Sequence, residues 1–338
     1  MDSRLLQHTT RWLFSLCLLT LGSVASAAVP ALVTILQGDA TLVRQTTRYA
    51  LAEGVALSDG DIVETAADAF AQIEFEDGTV VAISEKGRLL LKPQLTPPKT
   101  TSAPAQFYLL EGWIKLATVP KAPAEADFLT PAFELATPGA TIVARVRAKG
   151  YELFVESGSA RLVARGATSG LRANDFVNQA ANADKPTIGA NLGGEFLQLL
   201  PRQFRDRLPA RAALFTGRIV APKPISAIQY ADVSPWLHAE SGIRLALSRQ
   251  WRSRAADRAF RAEVAANLGA HTEWERVLYP ERFLPKKPPP PSVAKPVNSA
   301  RAANPAPTSP APNPPDSKPN PIAVSPTPTP ENPASSPN

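Results

Sequence analysis

The chain has 338 residues, of which 44% are apolar and 20% are charged, so most of it can bury a hydrophobic core. Its single cysteine and three histidines exclude a disulfide framework and disfavour a metal site with several protein ligands. The formal net charge is +6, and residues 186–284 contribute most of it, with 14 basic and 9 acidic side chains. A basic chain can indicate nucleic-acid binding, but the export signal described next disfavours that class of partner.

Residues 1–27 have the pattern of a secretory signal peptide. Two arginines precede an uncharged run from Trp12 to Leu21, and the small residues Ala25-Ser26-Ala27 form a cleavage motif. Cutting after this motif removes Cys17, the only cysteine, which suits an oxidising compartment. We therefore expect a periplasmic or secreted protein. The alternative is an inner-membrane protein in which residues 12–30 stay as an anchor.

Residues 31–165 predict an all-β domain, a sandwich or a roll. Apolar and polar side chains alternate from Ala69 to Glu76, which is typical of a half-buried strand. Asp77-Gly78 then predicts a hairpin turn, because Gly accepts positive φ, and Ser157-Gly158 predicts a second one. The return strands after these turns are predicted at Thr79–Ser84 and Ala160–Ala164, and further strand-turn units at Ala31–Gln37, Thr41–Arg44, Gly60–Thr65, Phe107–Leu116 and Phe133–Arg147.

Residues 166–191 are predicted to be a linker, and residues 192–284 a small α-helical module. Ser234-Pro235 is a favourable helix start. A longer helix is predicted from Arg254 to Leu268, ended by Gly269. Its apolar stripe is predicted to consist of Ala255, Ala259, Ala262 and Ala266, with Phe260 and Val264 beside it. Shorter helices are predicted at residues 202–208 and 271–280, and the predicted core anchors are Trp236, Trp251 and Trp274.

Residues 285–338 predict a disordered tail. Nineteen of the 35 prolines lie there, and bulky apolar residues are almost lacking, so the segment cannot bury enough surface to fold. As polyproline II, such a tail can serve as a spacer or tether, or engage a partner.

Several fragments, in this order and spacing, resemble a FecR domain over about residues 31–165. They are Gly38–Arg44, Leu51–Gly54, Gly60–Thr65, Ala71–Thr79, Leu110–Gly112 and Thr137–Thr141. The resemblance implies a β-rich periplasmic module. In the sensor members of the family, this module relays a signal from an outer-membrane receptor to a sigma factor.

Two departures from the family pattern limit what the resemblance implies. Sensor members carry a cytoplasmic regulatory arm before a membrane span, and the eleven residues before Trp12 are too few to fold into one. We therefore expect an exported interaction domain. Val146-Arg147-Ala148-Lys149-Gly150 stands where the family has Gly-Thr, so no role of that turn is carried over.

The binding candidates in the sequence are Arg254, Arg258, Arg261 and Trp251. Spacing of i, i+4 and i+7 predicts the arginines on one helix face beside the tryptophan, where they would suit an anionic polymer. The alternative is a solvated face opposite the alanine stripe. His238 and His271 are expected in packing or surface roles. No catalytic, cofactor-binding or metal-binding residues are predicted, although paired-acid glycan cleavage stays open as an enzyme alternative.

Together these features predict a multidomain α+β chain: a FecR-like β-sandwich or roll, a small helical module and a disordered tail. The predicted function is that of a non-catalytic, exported cell-envelope protein, without a cofactor, that binds a protein or another envelope partner. One alternative is binding of peptidoglycan or another anionic glycan through the Arg-rich block. The other is an inner-membrane signal relay, the only case in which membrane contact is expected.

Overall fold

The computed structural model describes residues 31–93, 107–120, 128–181 and 183–284. The predicted signal peptide, residues 1–27, and the predicted tail, residues 285–338, lie outside them. All described residues belong to one compact unit. None of the helices in this part of the chain is long and apolar enough to cross a membrane.

The described residues contain eighteen β-strands, and every pairing between them is antiparallel except that of the ninth and tenth strands. The strands are β1 Ala31–Gln37, β2 Ala40–Arg44, β3 Thr47–Ala50, β4 Ala56–Leu57, β5 Ile62–Thr65, β6 Phe70–Phe75, β7 Val80–Ile83, β8 Arg88–Leu91, β9 Phe107–Ala117, β10 Phe128–Leu129, β11 Glu134–Ala136, β12 Thr141–Arg147, β13 Gly150–Ser157, β14 Ser159–Ala164, β15 Ala167–Arg172, β16 Phe176–Ala180, β17 Thr187–Gly189 and β18 Lys223–Ala227.

The strands form two sheets that share β9. Sheet 1 runs β4–β1–β6–β7–β9–β12–β13–β16–β17. Sheet 2 runs β18–β3–β2–β5–β8–β9–β10–β11–β14–β15. The main core lies between them and includes fully buried Val33, Ile73, Leu109, Ile114 and Leu153. The sequence expectation of an all-β sandwich or roll followed by helices is confirmed.

Strand β9 changes sheet in its middle. Glu111 is its last residue paired with β8 in sheet 2, and Gly112 is its first residue paired with β12 in sheet 1. Gly112 has a φ of +109°, and a Cβ built there would lie 2.6 Å from the Cα of Gly87. Only glycine combines this conformation with so close an approach of two backbones.

Most of the predicted strands are confirmed, and one prediction about their connections is wrong. Asp77-Gly78 joins the paired strands β6 and β7, as expected. Ser157-Gly158 makes no hairpin, because β13 lies in sheet 1 and β14 in sheet 2. This turn carries the chain across the core, and it is tight: a Cβ on Gly158 would lie 2.4 Å from the carbonyl oxygen of Gly139. The strand-turn unit predicted over Phe133–Arg147 contains β11, a turn at Gly139 and β12.

The segment 166–191, predicted to be a linker, forms three strands of the sandwich. β15 pairs with β14 along its whole length, β16 pairs with β13, and β17 pairs with β16. Most residues of β15 and all residues of β17 are exposed to solvent.

After β17 the chain first crosses the outer face of sheet 1 and then covers the outer face of sheet 2. Its helices are α1 Gly194–Leu199, α2 Tyr230–Leu237, α3 Ser241–Gln250, α4 Arg258–Ala266 and α5 Glu275–Leu278. Single 3₁₀ turns occupy Arg202–Phe204, Ala212–Phe215, Arg252–Ala256, Thr272–Trp274 and Pro280–Phe283. Helices α2–α5, here called the helical cap, enclose a second core with Val43, Ile62, Leu90 and Tyr108 of sheet 2. The three tryptophans of the cap are fully buried there, as predicted.

Two helix predictions are wrong for local reasons. α2 begins at Tyr230, well before Ser234-Pro235, because Gln229 and Asp232 form a capping box at its start. α4 begins at Arg258, because the carboxylate of Asp257 accepts the backbone N–H of Phe260 at 2.9 Å and caps the helix there.

The predicted alanine stripe is also wrong. Phe260 and Val264 form the buried face of α4, whereas Ala259, Ala262 and Ala266 are exposed. Burial of the larger apolar side chains is more favourable, so they decide which face packs.

We expect Gly112→Ala to destabilise the protein by about 2 kcal/mol or more, because the new Cβ meets backbone at a positive φ. Gly166→Ala is the matched control, since Gly166 also has a positive φ but open space around its Cβ position, and we expect it to cost about 1 kcal/mol. Urea unfolding of both variants measures the difference. Equal losses would contradict the role given to Gly112.

Candidate recognition site

The arginines predicted to share a helix face do not lie on one helix. Arg254 is in the 3₁₀ turn before α4, whereas Arg258 and Arg261 are in α4. Arg254 Nε donates to the carbonyl oxygen of Ile228 at 3.0 Å, and Arg261 Nη2 donates to that of Leu278 at 2.5 Å. Trp251 is fully buried in the core of the cap. Arg258 is exposed. Ligand binding by these four residues stays a prediction.

The two histidines of the cap lie in one small aromatic cluster. His271 is buried, and its Nε2 lies 2.9 Å from the hydroxyl of Tyr230. The ring of His238 meets it edge-on, 4.9 Å between centroids, and His238 Nδ1 lies 2.8 Å from the carbonyl oxygen of Ser234. Burial, and then the nearby His238, lower the pKa of His271. The contacts are those of packing residues.

We expect the free energy of unfolding to decrease as the pH is lowered from 7.5 to values below 6.5. In this window the unfolded chain binds a proton at His271 that the folded chain, with its lowered pKa, does not bind. Denaturant unfolding at a series of pH values measures the slope. His271→Gln, which keeps a hydrogen-bonding group near Tyr230, should flatten it. An unchanged slope in this variant would contradict the assignment.

Two hydrogen bonds from aromatic side chains tie the cap to sheet 2. Trp236 Nε1 donates to Glu64 at 2.8 Å, and the hydroxyl of Tyr108 donates to Glu240 at 2.6 Å. Burial raises the pKa of Glu64, and the bond from Trp236 and the charge of Arg88 oppose that rise. Burial also raises the pKa of Tyr108. These groups have partners within the fold, so their role is to hold the cap on the sheet.

The described surface has a recess around the turn that joins β12 to β13. The recess comprises two adjoining hollows of about 550 and 330 Å³, which share Arg147 and Ala148 in their walls. The larger hollow extends to Lys149 and Glu195, and the smaller one to Trp113 and other residues of β9 and β12. The recess is therefore lined by four basic and four acidic side chains, and the largely buried ring of Trp113 forms part of its wall.

Two arginines in the wall of the recess share one carboxylate. Arg145 and Arg147 are two residues apart in β12, so their side chains lie on the same face of the strand. Their guanidinium groups lie 3.8 and 3.3 Å from Glu152 Oε2. Arg145 also lies over the ring of Trp113, 5.2 Å from its centroid. Because one carboxylate faces two guanidinium groups, the trio carries a net positive charge. The side chain of Arg147 is 38% exposed, so this charge is accessible.

The arrangement suits recognition of a carboxylate or another planar anion. A guanidinium group can make two parallel hydrogen bonds to such a group, and the contacts of Arg145 with Trp113 and Glu152 fix its position beforehand. Among the described residues, no group of three or more His, Cys, Asp or Glu side chains could hold a metal ion. Sequence reasoning missed this site, although it singled out Val146–Gly150 as a departure from the family pattern.

Residues 61–167 match the model of a protein family described as FecR protein. The sandwich contains a FecR-like domain. The resemblance predicted from the sequence fragments is thus confirmed. The match runs from the start of β5 to β15, and it includes Trp113, Arg145, Arg147 and Glu152 of the recess.

Comparison with solved structures finds two crystal structures, at 1.65 and 2.50 Å resolution, of a candidate anti-sigma factor from Parabacteroides distasonis ATCC 8503. They are 13% and 12% identical to this chain, both with a TM-score of 0.32. Each alignment covers 38% of this chain and 58% of the other chain, so it spans less than two thirds of that protein. None of the curated proteins matches the chain.

Proposed function

We propose that this chain is a non-catalytic regulatory protein of the cell envelope whose FecR-like domain recognises a protein partner at the recess around Arg147. The match of residues 61–167 to the FecR family carries the proposal, because the family resemblance implies a module that relays signals by contact with other proteins. The recess supports it, since the residues that line its smaller hollow, Arg145 and Arg147 among them, lie inside the matched residues.

The two arginines in the wall of the recess favour an acidic group on the partner. Arg147 offers partly exposed guanidinium donors, and Glu152 compensates only one of the two arginine charges beside it. A carboxylate of the partner would supply the second negative charge and accept two hydrogen bonds. Charges of this kind contribute to specificity and to the association rate more than to affinity.

The sequence outside the described residues supports a location in the envelope. The signal-peptide pattern of residues 1–27 indicates export, and the Pro-rich residues 285–338 suit a tether or spacer. If the apolar run stays uncut, the same domain would be held at the inner membrane and could act in a relay there.

We expect the mature chain to capture a specific protein from envelope extract, and Arg147→Glu to reduce the recovery at least tenfold. The substitution places a carboxylate where an acidic group of the partner would bind. Arg258→Glu is the matched control, because it makes the same change of charge at an exposed position outside the recess. Unfolding curves of both variants verify that the fold is retained. Equal capture by Arg147→Glu and the wild type would contradict the proposed site.

The same samples, sedimented with peptidoglycan sacculi at two salt concentrations, test the glycan alternative. Sedimentation that fades as salt rises, and that Arg258→Glu weakens, would place function in the Arg-rich block.

A further inference from the structure

The outer face of sheet 1 buries three polar side chains on two of its strands, with β7 between them. Gln72 and Glu74 of β6 and Lys115 of β9 are 0%, 6% and 1% exposed. Their alternation with apolar residues predicts a solvated face for β6, but all six residues of that strand are buried. Burying a charge costs free energy unless hydrogen bonds replace its hydration. The hydrogen-bond partners of these side chains therefore indicate which groups this face binds.

Most of those partners are backbone groups of residues 204–212, here called the cis segment. Lys115 Nζ donates to the carbonyl oxygens of Phe204 and Asp206 at 2.8 and 2.9 Å, and to Glu156 at 2.8 Å. The two carboxylate oxygens of Glu74 accept the backbone N–H groups of Arg211 and Ala212, at 2.7 and 3.0 Å.

Gln72 completes the set, because its Nε2 donates to the carbonyl oxygen of Pro209 at 2.7 Å. Three side chains thus make five hydrogen bonds to the backbone of one short segment.

The cis segment contributes one fully buried aromatic side chain, and its Leu208 packs, partly buried, against the same apolar cluster. Phe204 is fully buried, with its ring edge-on to Phe70 at 6.1 Å between centroids. The remaining side chains are mostly exposed, those of Arg205, Asp206, Arg207, Pro209, Ala210 and Ala212. The face therefore binds mainly backbone groups and one aromatic ring, and a segment with an aromatic residue in the same register can offer these groups if its backbone follows the same course, with a 3₁₀ turn at each end.

We infer that this face is a peptide-binding site, which the cis segment fills in the chain alone, and that it accepts a segment of a partner protein that bears an aromatic residue and follows the backbone course of the cis segment. The bonds that hold the cis segment join side chains to backbone and include no strand pairing, so it can detach without disturbing either sheet. An incoming segment would remake the same bonds. The cis segment competes at high effective concentration, which makes binding weak until it is loosened. This inference does not depend on a partner at the recess.

A labelled peptide with the sequence of residues 201–214 tests the site. We expect the full chain with Phe204→Ala to bind it at least tenfold more tightly than the wild type, because the cis segment has lost its anchor. Adding Glu74→Gln should weaken that binding, since a neutral amide replaces the carboxylate that accepts two N–H groups. Leu214→Ala is the control, because Leu214 is 59% exposed and lies outside the cis segment. If the Phe204→Ala chain keeps a native unfolding curve and binds the peptide no more tightly than the wild type, the inference is overturned.

Hydrogen exchange on the wild-type chain gives a second test that needs no variant. We expect the hydrogen-bonded amides of Arg211 and Ala212 to exchange at least a hundredfold faster than those of β12, at a rate that low urea concentrations do not change. If the amides of Arg211 and Ala212 exchange only through global unfolding, as those of β12 do, the inference is overturned, because the cis segment would then not detach on its own.

Discussion

Strand β9 is the element on which the rest of the structure depends, because it serves both sheets. Side chains alternate along a strand, so every second side chain of β9 points away from the core. Because β9 changes sheet at Gly112, these outward side chains lie on the outer face of sheet 2 before Gly112 and on the outer face of sheet 1 after it. Tyr108, in the first half, lies under the helical cap and binds Glu240. Trp113 and Lys115, in the second half, supply the ring of the recess and the cation that holds the cis segment. A single backbone bend thus positions the cap, the recess and the peptide-binding face.

Local patterns in the sequence predicted the strands well and their partners poorly. The bounds of β1 follow from the residues themselves, because alternation and turn residues act over a few positions. Gly158 shows the limit of such reasoning. A turn residue fixes where the chain reverses, but the strand with which the returning chain pairs depends on residues far away in sequence. The same holds for β15–β17, whose exposed residues are typical of a linker although their backbones complete both sheets.

The candidate sites were harder to predict than the fold, and charge is the reason. A charged residue in an alternating strand normally indicates a solvated face, which is why Glu74 was predicted to be exposed. Its burial depends on residues more than 130 positions later in the chain. The arginines of the cap show the opposite case. Their spacing predicted a shared ligand-binding face, but Arg254 and Arg261 use their donors on carbonyl oxygens of the cap itself.

The way the sandwich is completed has a consequence for how the FecR-like domain can be inherited. The family match begins at residue 61, yet β6 needs β1 along its whole length, and β3 pairs with β18, some 170 residues later. A fragment limited to the matched residues would leave the edge of β6 unpaired and the apolar surface around Tyr108 without its cap, and both features favour aggregation. In this chain, the matched residues are therefore only part of the paired strands that form the sandwich. A recombination event that moves this domain into another chain has to carry both flanks with it.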